Sequence, residues 1–292
     1  MISIIVCSVS PDKLSAFEKN VERTIGCEYE IIAVDNREGG YSLASAYNYG
    51  AGEAKGEYLC FAHEDIAFHT VGWGEVVVAQ MSLAETGYVG FAGSRGKTRE
   101  LSAWYFSRQY RRINLVERVG GGLREWRDIP SGEKFSEVVT LDGLCLMASR
   151  KVWSEVSFDE VTFIGFHFYD LDVTVAATEK GYRNYVCGCV EVEHFSEGSY
   201  NRGWYEWAEI FTEKWRDKLP LYTESLPEKT MAKNERIALR SMTYLLIRKG
   251  ILERKEARKR VCEVLRKSPF ALKSYVLWII FVKSLRSLPK NI

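Results

Sequence analysis

The sequence lacks the features of several large protein classes. No apolar run approaches the roughly 20 residues that a membrane-spanning helix needs, and the longest, Tyr275 to Val282, falls well short. The formal net charge is +1, so no overall field favours nucleic acid as a partner. No basic segment precedes the apolar Ile2 to Val6, so we expect a first strand there and not a secretion signal.

Phosphate-binding glycine motifs are also missing. No Gly-x-Gly-x-x-Gly follows the first predicted strand, and no Walker-type loop of glycine and lysine occurs in the chain. Dinucleotide-binding and P-loop hypotheses therefore lose their main support. A phosphate-bearing ligand would have to be held in another way, and acidic strand ends that bind a divalent metal are the replacement we expect.

The cysteines do not form a pattern typical of disulfides or zinc sites. There are seven, an odd number, and most lie in apolar, strand-like runs where a reduced thiol behaves as a small hydrophobic group. Cys187 and Cys189 would face the same side of a strand, but no second pair completes a structural zinc site. We therefore predict a protein of the reducing cytoplasm.

Buried strands alternate with helices through the first part of the chain. Ile2 to Val9, Tyr29 to Val34 and Tyr58 to Ala62 are the predicted strands, and Ser10 and Ser42 are N-cap candidates for the helices between them. This order predicts an α/β fold with a doubly wound, mainly parallel sheet.

The rest of the chain changes in character twice. Gly93 to Pro130, which includes the glycine triplet Gly120 to Gly122, loses periodicity, so we interpret it as a functional insertion. Glu228 to Lys267 is rich in charged residues with apolar ones at helical spacing. We place a boundary near Pro220, with an α/β domain over 1–220 and a C-terminal helical extension over 221–292.

Acidic residues and histidines collect where predicted strands end. His63, Glu64 and Asp65 follow the third strand, and Asp35 follows the second. Because ligands of open α/β sheets bind beyond the carboxyl ends of strands, Asp65 is a candidate ligand for a divalent cation. Asp35 can accept hydrogen bonds from a nucleotide base or ribose. The alternative is that these carboxylates only begin solvated loops.

Two later residues are further candidates. Asp170 precedes a predicted helix that continues through Ala176, and His194 follows the predicted strand Asn184 to Val192. A simpler role is open for each, since Asp170 can be an N-cap and His194 a hydrogen-bonding residue at a strand end.

This arrangement resembles the family-2 glycosyltransferases of the GT-A fold over most of the predicted α/β domain. His63, Glu64 and Asp65 stand where that family has its Asp-x-Asp metal motif, as a His-Glu-Asp variant. The segments that resemble the helix and strand before the motif contain Asn48, Gly50, Ala54, Gly56 and Tyr58 to Phe61.

The resemblance implies a transferase that moves a sugar from a nucleotide sugar to a glycan or lipid-linked acceptor, in cell-surface polysaccharide or glycoconjugate synthesis. It implies Mn²⁺ or Mg²⁺ bound by Asp65 and His194, and Asp170 as the catalytic base of an inverting reaction. The residues assigned to the nucleotide-sugar site are Ser8, Asp35, Asn48, Glu64 and Asp65.

Two other functions are open. A nucleotidyltransferase that makes a nucleotide sugar would use a similar acidic sheet, but it usually has a glycine-rich basic loop after the first strand, and Cys7 to Lys13 offers one lysine. A noncatalytic nucleotide- or carbohydrate-binding module is the other alternative, against which the presence of both Asp65 and Asp170 argues.

The C-terminal tail, residues 268–290, interleaves apolar residues with lysine and arginine. As a helix it would suit a membrane interface next to anionic lipid, at the inner face of the membrane. The same apolar residues would also suit packing onto the catalytic domain or onto a second subunit of a homo-oligomer.

Overall fold

The computed structural model describes residues 1–119, 122–196, 198–285 and 287–289. Gly120 and Gly121 of the predicted insertion, and Arg286 and Lys290 of the tail, lie outside the described residues. The chain divides into two compact units. The first unit contains Met1–Arg95 and Arg111–Glu197, and the second contains Gly96–Tyr110 and Gly198–Ile292. The division predicted at residue 220 stays a prediction.

The elements alternate between strands and helices in the first unit and are mainly helical in the second. The strands are β1 (Ile2–Ser8), β2 (Tyr29–Asp35), β3 (Tyr58–Ala62), β4 (Ile66–Phe68), β5 (Thr86–Gly90), β6 (Ala92–Ser94), β7 (Gly96–Lys97), β8 (Arg111–Val119), β9 (Gly122–Arg127), β10 (Phe135–Val138), β11 (Thr140–Leu141), β12 (Cys145–Ser149), β13 (Arg183–Cys187), β14 (Val192–His194) and β15 (Leu221–Tyr222). The helices are α1 (Pro11–Thr24), α2 (Leu43–Glu53), α3 (Trp73–Met81), α4 (Arg150–Glu155), α5 (Tyr169–Glu179), α6 (Arg202–Lys214), α7 (Glu228–Arg248), α8 (Arg254–Lys267) and α9 (Leu272–Ser284).

A seven-stranded sheet of order β10-β13-β5-β12-β3-β1-β2 forms the centre of the first unit. Five of its strands run in one direction, and β12 and β10 run against them. All five residues of β3 are buried, which fits its central place in the sheet. The predicted α/β fold with a mainly parallel sheet and C-terminal helices is confirmed.

The predicted helix starts follow from local chemistry. The Ser10 hydroxyl accepts from the backbone N–H of Lys13 and caps α1, whose first residue is proline. Ser42 and Ser45 form a reciprocal capping box at the start of α2. Because β1 pairs in parallel with both β2 and β3, the three strands end at the same edge of the sheet.

A second sheet has the order β11-β6-β8-β14-β4, with β9 paired to β8, and its strand β4 follows closely after the end of β3 in the chain. Gly93 to Pro130, where the sequence loses periodicity, contains β7, β8 and β9 and most of β6, and its interpretation as a functional insertion stays a prediction. The single strand predicted over Asn184 to Val192 is two strands in different sheets, β13 and β14. His194, in β14, pairs with Ile66 of β4, which directly follows Asp65 in the chain.

The second unit is built around α7. Phe106, Tyr110 and Ala238 form a buried apolar cluster there, and Asn234 donates to the hydroxyls of Tyr110 and Tyr222. The segment Gly96–Tyr110, part of the predicted insertion, therefore packs within this helical unit. Over the described ranges, no helix combines the length and apolarity needed to cross a membrane.

Candidate active site

Glu64 links the end of β3 to the end of β1 through hydrogen bonds. Its Oε2 accepts from the Ser8 hydroxyl at 2.7 Å and from the backbone N–H groups of Val9 and Ser10 at 3.3 and 3.2 Å. Glu64 is only 8% exposed. Ser8 and Glu64, both predicted to bind the donor, thus hold each other and shape the loop before α1.

Asp65 lies between two histidines. The pairing of β14 with β4 brings His194 beside it, with 3.5 Å between His194 Nε2 and Asp65 Oδ1. The His63 and His194 ring centroids are 5.9 Å apart. One ligand atom from each of His63, Asp65 and His194 lies within 4.8 Å of the others. We call these three residues the His-Asp-His cluster.

The electrostatics of the cluster favour the metal-binding forms of Asp65 and His63, whereas the hydrogen bond and charge of Asp65 raise the pKa of His194 in spite of its burial and so favour its protonated form. Burial alone would raise the pKa of Asp65, but the hydrogen bond and charge of His194 and the charge of His63 hold it well below its usual value. Burial, helped by repulsion from His194, lowers the pKa of His63 to about 4. Asp65 is therefore an anion and His63 a neutral imidazole at neutral pH, which is the state of each that donates to a metal.

The residues present fit a divalent metal. Two imidazole nitrogens and one carboxylate oxygen form a mixed donor set that is typical of transition metals, and Mn²⁺ is one of these. Mg²⁺ prefers sites in which every ligand is oxygen, so this set suits Mn²⁺ better than Mg²⁺. The hydroxyl of Ser196 lies 3.1 Å from His194 Nε2 and Lys13 Nζ lies 3.6 Å from Asp65 Oδ2. Both can orient the ligating side chains from outside the cluster.

Asp170 lies in the first turn of α5, close to a second carboxylate. Its Oδ2 accepts from the backbone N–H of Gly143 at 2.8 Å, and Asp142 is the residue before that glycine. Burial, and then the charge of Asp142, raise the pKa of Asp170 to about 7. Burial also raises the pKa of Asp142. A carboxylate that titrates near neutral pH is suited to general base catalysis.

The backbone around Asp170 is tightly constrained. Phe168, the N-cap residue of α5, has a φ of 69°, a left-handed conformation that costs a non-glycine residue about 1–2 kcal/mol. A Cβ on Gly143 would lie 2.9 Å from the Cβ of Asp170 and would also collide with the Tyr169 hydroxyl. Glycine is therefore required there if the main chain is to approach Asp170.

Tyr169 joins the two groups of titratable residues. Its hydroxyl donates to the backbone carbonyl of Gly143 at 3.1 Å and lies 3.3 Å from His63 Nε2. The side chain is buried, which raises its pKa well above the usual value and keeps it protonated. It is thus a fixed contact between the His-Asp-His cluster and the segment that holds Asp170.

Asp35 and Asn48 lie in different surroundings. Asp35 pairs in register with Ser8 at the strand ends, is exposed, and receives a two-pronged ion pair from Arg37 that lowers its pKa to about 2. The Asn48 amide bonds to the backbone of Phe158 and to side chains of Glu160 and Trp153. Asn48 therefore ties α2 to the loop after α4, and its predicted donor contact stays a prediction.

Several residues of the site were not predicted from the sequence. Asp142, Tyr169, Lys13 and Ser196 had no assigned role, and His63 was left without one. The Asp-Gly pair directly before the buried strand β12 is a local signal that could have identified Asp142, because a carboxylate at a strand boundary needs a reason. The imidazole of His69 lies 3.0 Å from a carboxylate oxygen of Glu193.

Comparison with known proteins identifies the family. A family model described as glycosyltransferase-like matches residues 3–215. A search of curated protein sequences gave no significant match. A crystal structure of S. aureus TarS in complex with UDP-GlcNAc is 13% identical, with a TM-score of 0.55 over 98% of this chain and 89% of that one. Another crystal structure of S. aureus TarS 1–349 is 14% identical, with a TM-score of 0.54 over 98% of this chain and 89% of that one.

A structure of GalNAc-T7 with UDP, GalNAc and Mn²⁺ is 12% identical, with a TM-score of 0.49; the match covers 68% of this chain but only 44% of that one. At these identities, only the likeness to TarS bears on this chain, and it bears on the fold. The family match spans most of the chain and includes the His-Asp-His cluster and Asp170. The chain therefore belongs to the glycosyltransferase-like family, and it is a glycosyltransferase with a GT-A-type fold.

Proposed function

We propose that this enzyme transfers a sugar, with inversion and with the help of a divalent metal, from a nucleoside-diphosphate sugar to a hydroxyl group of a glycan or lipid-linked acceptor. The observation that carries the proposal is the Tyr169 contact between two sets of residues. One set, the His-Asp-His cluster, is suited to metal, and the other contains an acid of raised pKa. Departure of a diphosphate and deprotonation of an acceptor need these two chemistries side by side.

Asp65, His194 and His63 would hold the metal. When bound, a divalent cation supplies Lewis-acid stabilisation of the charge that develops on the departing diphosphate. Lys13, next to Asp65, adds a positive charge at the same place. The exposed Asp35 carboxylate, at the neighbouring strand end, would accept hydrogen bonds from the base or ribose in exchange for those of Arg37.

Asp170 would act as the general base. Its carboxylate removes the proton of the acceptor hydroxyl as that oxygen forms a bond to the anomeric carbon and the bond from this carbon to the phosphate oxygen breaks. Attack from the face opposite the leaving group inverts the configuration. The hydrogen bond from Gly143 N–H orients the Asp170 carboxylate.

The nature of the donor, the acceptor and the cell compartment are parts of the same proposal. TarS, which has this fold, was crystallised with UDP-GlcNAc, so UDP sugars are the first donors to test. Cys60 and Cys145 have sulfur atoms 3.6 Å apart in neighbouring strands and are free thiols, which supports a reducing cytoplasm. Cell-surface glycan synthesis and a homo-oligomeric state are expectations from the resemblance and the tail.

The test is incubation with a panel of nucleotide sugars and acceptors, in Mn²⁺, in Mg²⁺ and in chelator, with measurement of released nucleoside diphosphate. Metal-dependent release is expected from the unaltered chain, and Asp65→Asn should abolish it without unfolding the protein. Asp217→Asn, an exposed change in the second unit, is the matched control. Release of pyrophosphate would instead indicate a nucleotidyltransferase, and binding without turnover would indicate a noncatalytic module.

A further inference from the structure

Helix α9 is apolar on both of its faces, but only one face is covered. Ser274, Leu277 and Phe281, spaced three and four residues apart, are its buried positions. The opposite side presents large apolar side chains that are 43% to 98% exposed. We call this set the outer face of α9, and it comprises Phe270, Leu272, Tyr275, Val276, Trp278, Ile279 and Val282. A contiguous exposed patch of this kind marks an interaction surface.

Basic residues outnumber acidic ones on α9 and on α8 beside it, and the two acidic residues of α8, Glu256 and Glu263, form ion pairs. Helix α9 contains no acidic residue, and its two lysines, Lys273 and Lys283, are exposed near its two ends. Helix α8, which packs against α9, is also strongly basic. Its exposed basic residues that form no ion pair among the described residues are Lys255, Arg258, Lys259 and Arg266. The partner of this surface should therefore be both apolar and anionic.

Two other arrangements fit less well. The first is a helix that spans the membrane, but the 13 residues of α9 extend only about 20 Å at ~1.5 Å per residue. The hydrocarbon core of a bilayer is roughly 30 Å thick. A second copy of the chain, paired about a two-fold axis, would bring the same face against itself. That arrangement would gather the lysines of both copies around the contact, with no carboxylate of α9 to neutralise them.

We propose that the outer face of α9 docks on the surface of a bilayer that contains anionic phospholipid. The helix lies in the plane of the interface, with its aliphatic side chains in the upper acyl region and Trp278 and Tyr275 at the level of the headgroups. Lys273 and Lys283 contact lipid phosphates from the two ends of the helix. This inference does not depend on the reaction that the first unit catalyses.

The test is flotation of the full chain with vesicles of phosphatidylglycerol and phosphatidylcholine, and with vesicles of phosphatidylcholine alone. Binding to the anionic vesicles is expected, and added salt should weaken it. The double variant Lys273→Glu, Lys283→Glu changes only exposed side chains and should lower the partition coefficient by at least about fivefold for each lysine. The double variant Trp278→Ser, Ile279→Ser tests the apolar part, and circular dichroism verifies its helical fold.

Matched controls come from the first unit, where Lys151→Glu and Val71→Ser alter exposed residues and should leave flotation unchanged. The proposal is overturned if the full chain stays out of the anionic vesicle fraction, or if both double variants float as well as the unaltered chain. Sedimentation that shows a dimer dissociated by Trp278→Ser, Ile279→Ser, without vesicle binding, would assign the face to a second copy.

Discussion

The Nε2 atom of His63 and the hydroxyl oxygen of Tyr169 lie 3.3 Å apart, across a separation of 106 residues in the chain. His63 follows the central strand β3, and Tyr169 begins the helix that carries Asp170. A displacement of one side chain therefore changes the position of the other. This contact couples the group that would hold the metal to the segment that would hold the base.

Removal of the Tyr169 hydroxyl should slow the reaction. Tyr169→Phe keeps the ring contacts with Tyr47 and Phe158 but loses the hydrogen bond to the Gly143 carbonyl. We expect the free energy of unfolding to fall by about 1 kcal/mol and kcat to fall by roughly tenfold, because a small misplacement of a base is costly. Steady-state kinetics and chemical denaturation measure the two effects.

Tyr88→Phe is the control, since Tyr88 also donates a buried hydrogen bond, to the carbonyl of Val156, and its ring contacts Phe158. It should lose similar stability and retain full kcat. Equal losses of kcat in the two variants would mean that Tyr169 acts on stability alone.

The raised pKa of Asp170 predicts the pH dependence of the reaction. A base must be ionised, so kcat should rise with pH and level off above the pKa of about 7. Asp170→Asn should lower the transfer rate by roughly 10²–10⁴-fold while donor affinity changes little. A variant with near-normal transfer, or a product that retains the anomeric configuration, would exclude this role.

The same pKa has a consequence for stability. The folded state holds the Asp170 proton more tightly than the unfolded chain does. The stabilisation that this proton gives the folded state is therefore fully present below the unfolded pKa of about 4. It is lost as pH rises through the folded value of about 7. Asp170→Asn removes this loss, so the midpoint of thermal unfolding should exceed that of the unaltered chain above pH 7, where the latter carries a half-buried anion. Melting curves at pH 5 and pH 8 test the difference.

Asp35 should contribute to donor affinity. Asp35→Ala removes a carboxylate that can accept a hydrogen bond from the nucleotide, and hydrogen bonds to charged groups are worth about 1.5–3 kcal/mol. We expect the dissociation constant for the donor to rise at least tenfold in calorimetry, with little change in stability because Asp35 and Arg37 are exposed. An unchanged constant would leave Asp35 as a loop residue, and Asp12→Ala is an exposed control.

Features set by neighbouring residues could be predicted from the sequence. The N-caps Ser10 and Ser42 and the fully buried strand β3 depend on local hydrogen bonding and on a short run of apolar residues. Three predicted strands that alternate with helices were sufficient to predict the α/β fold, although β2 lies at the edge of the sheet and buries only Val34, and not the whole strand as the sequence predicted. The family resemblance then supplied the enzyme class, which the family match confirmed.

Features set by distant pairing could not be predicted. Strand β4 has three residues, too few to show a period, yet its pairing with β14 is what brings His194 beside Asp65. Asp142 and Gly143 follow a two-residue strand of the second sheet and reach Asp170 only through the fold of α5. The raised pKa of Asp170 likewise depends on burial and on a carboxylate 28 positions earlier in the chain.

The central claim is that His63, Asp65 and His194 bind a catalytic divalent metal, and Mn²⁺ titration followed by electron paramagnetic resonance tests it most directly. In the presence of nucleoside diphosphate, the unaltered chain should bind a single tight Mn²⁺, and Asp65→Asn and His194→Ala should each lose that site while retaining the fold. His69 lies outside the cluster, so His69→Ala should bind Mn²⁺ as the unaltered chain does. Equal Mn²⁺ affinity in the unaltered chain and in Asp65→Asn would contradict the account.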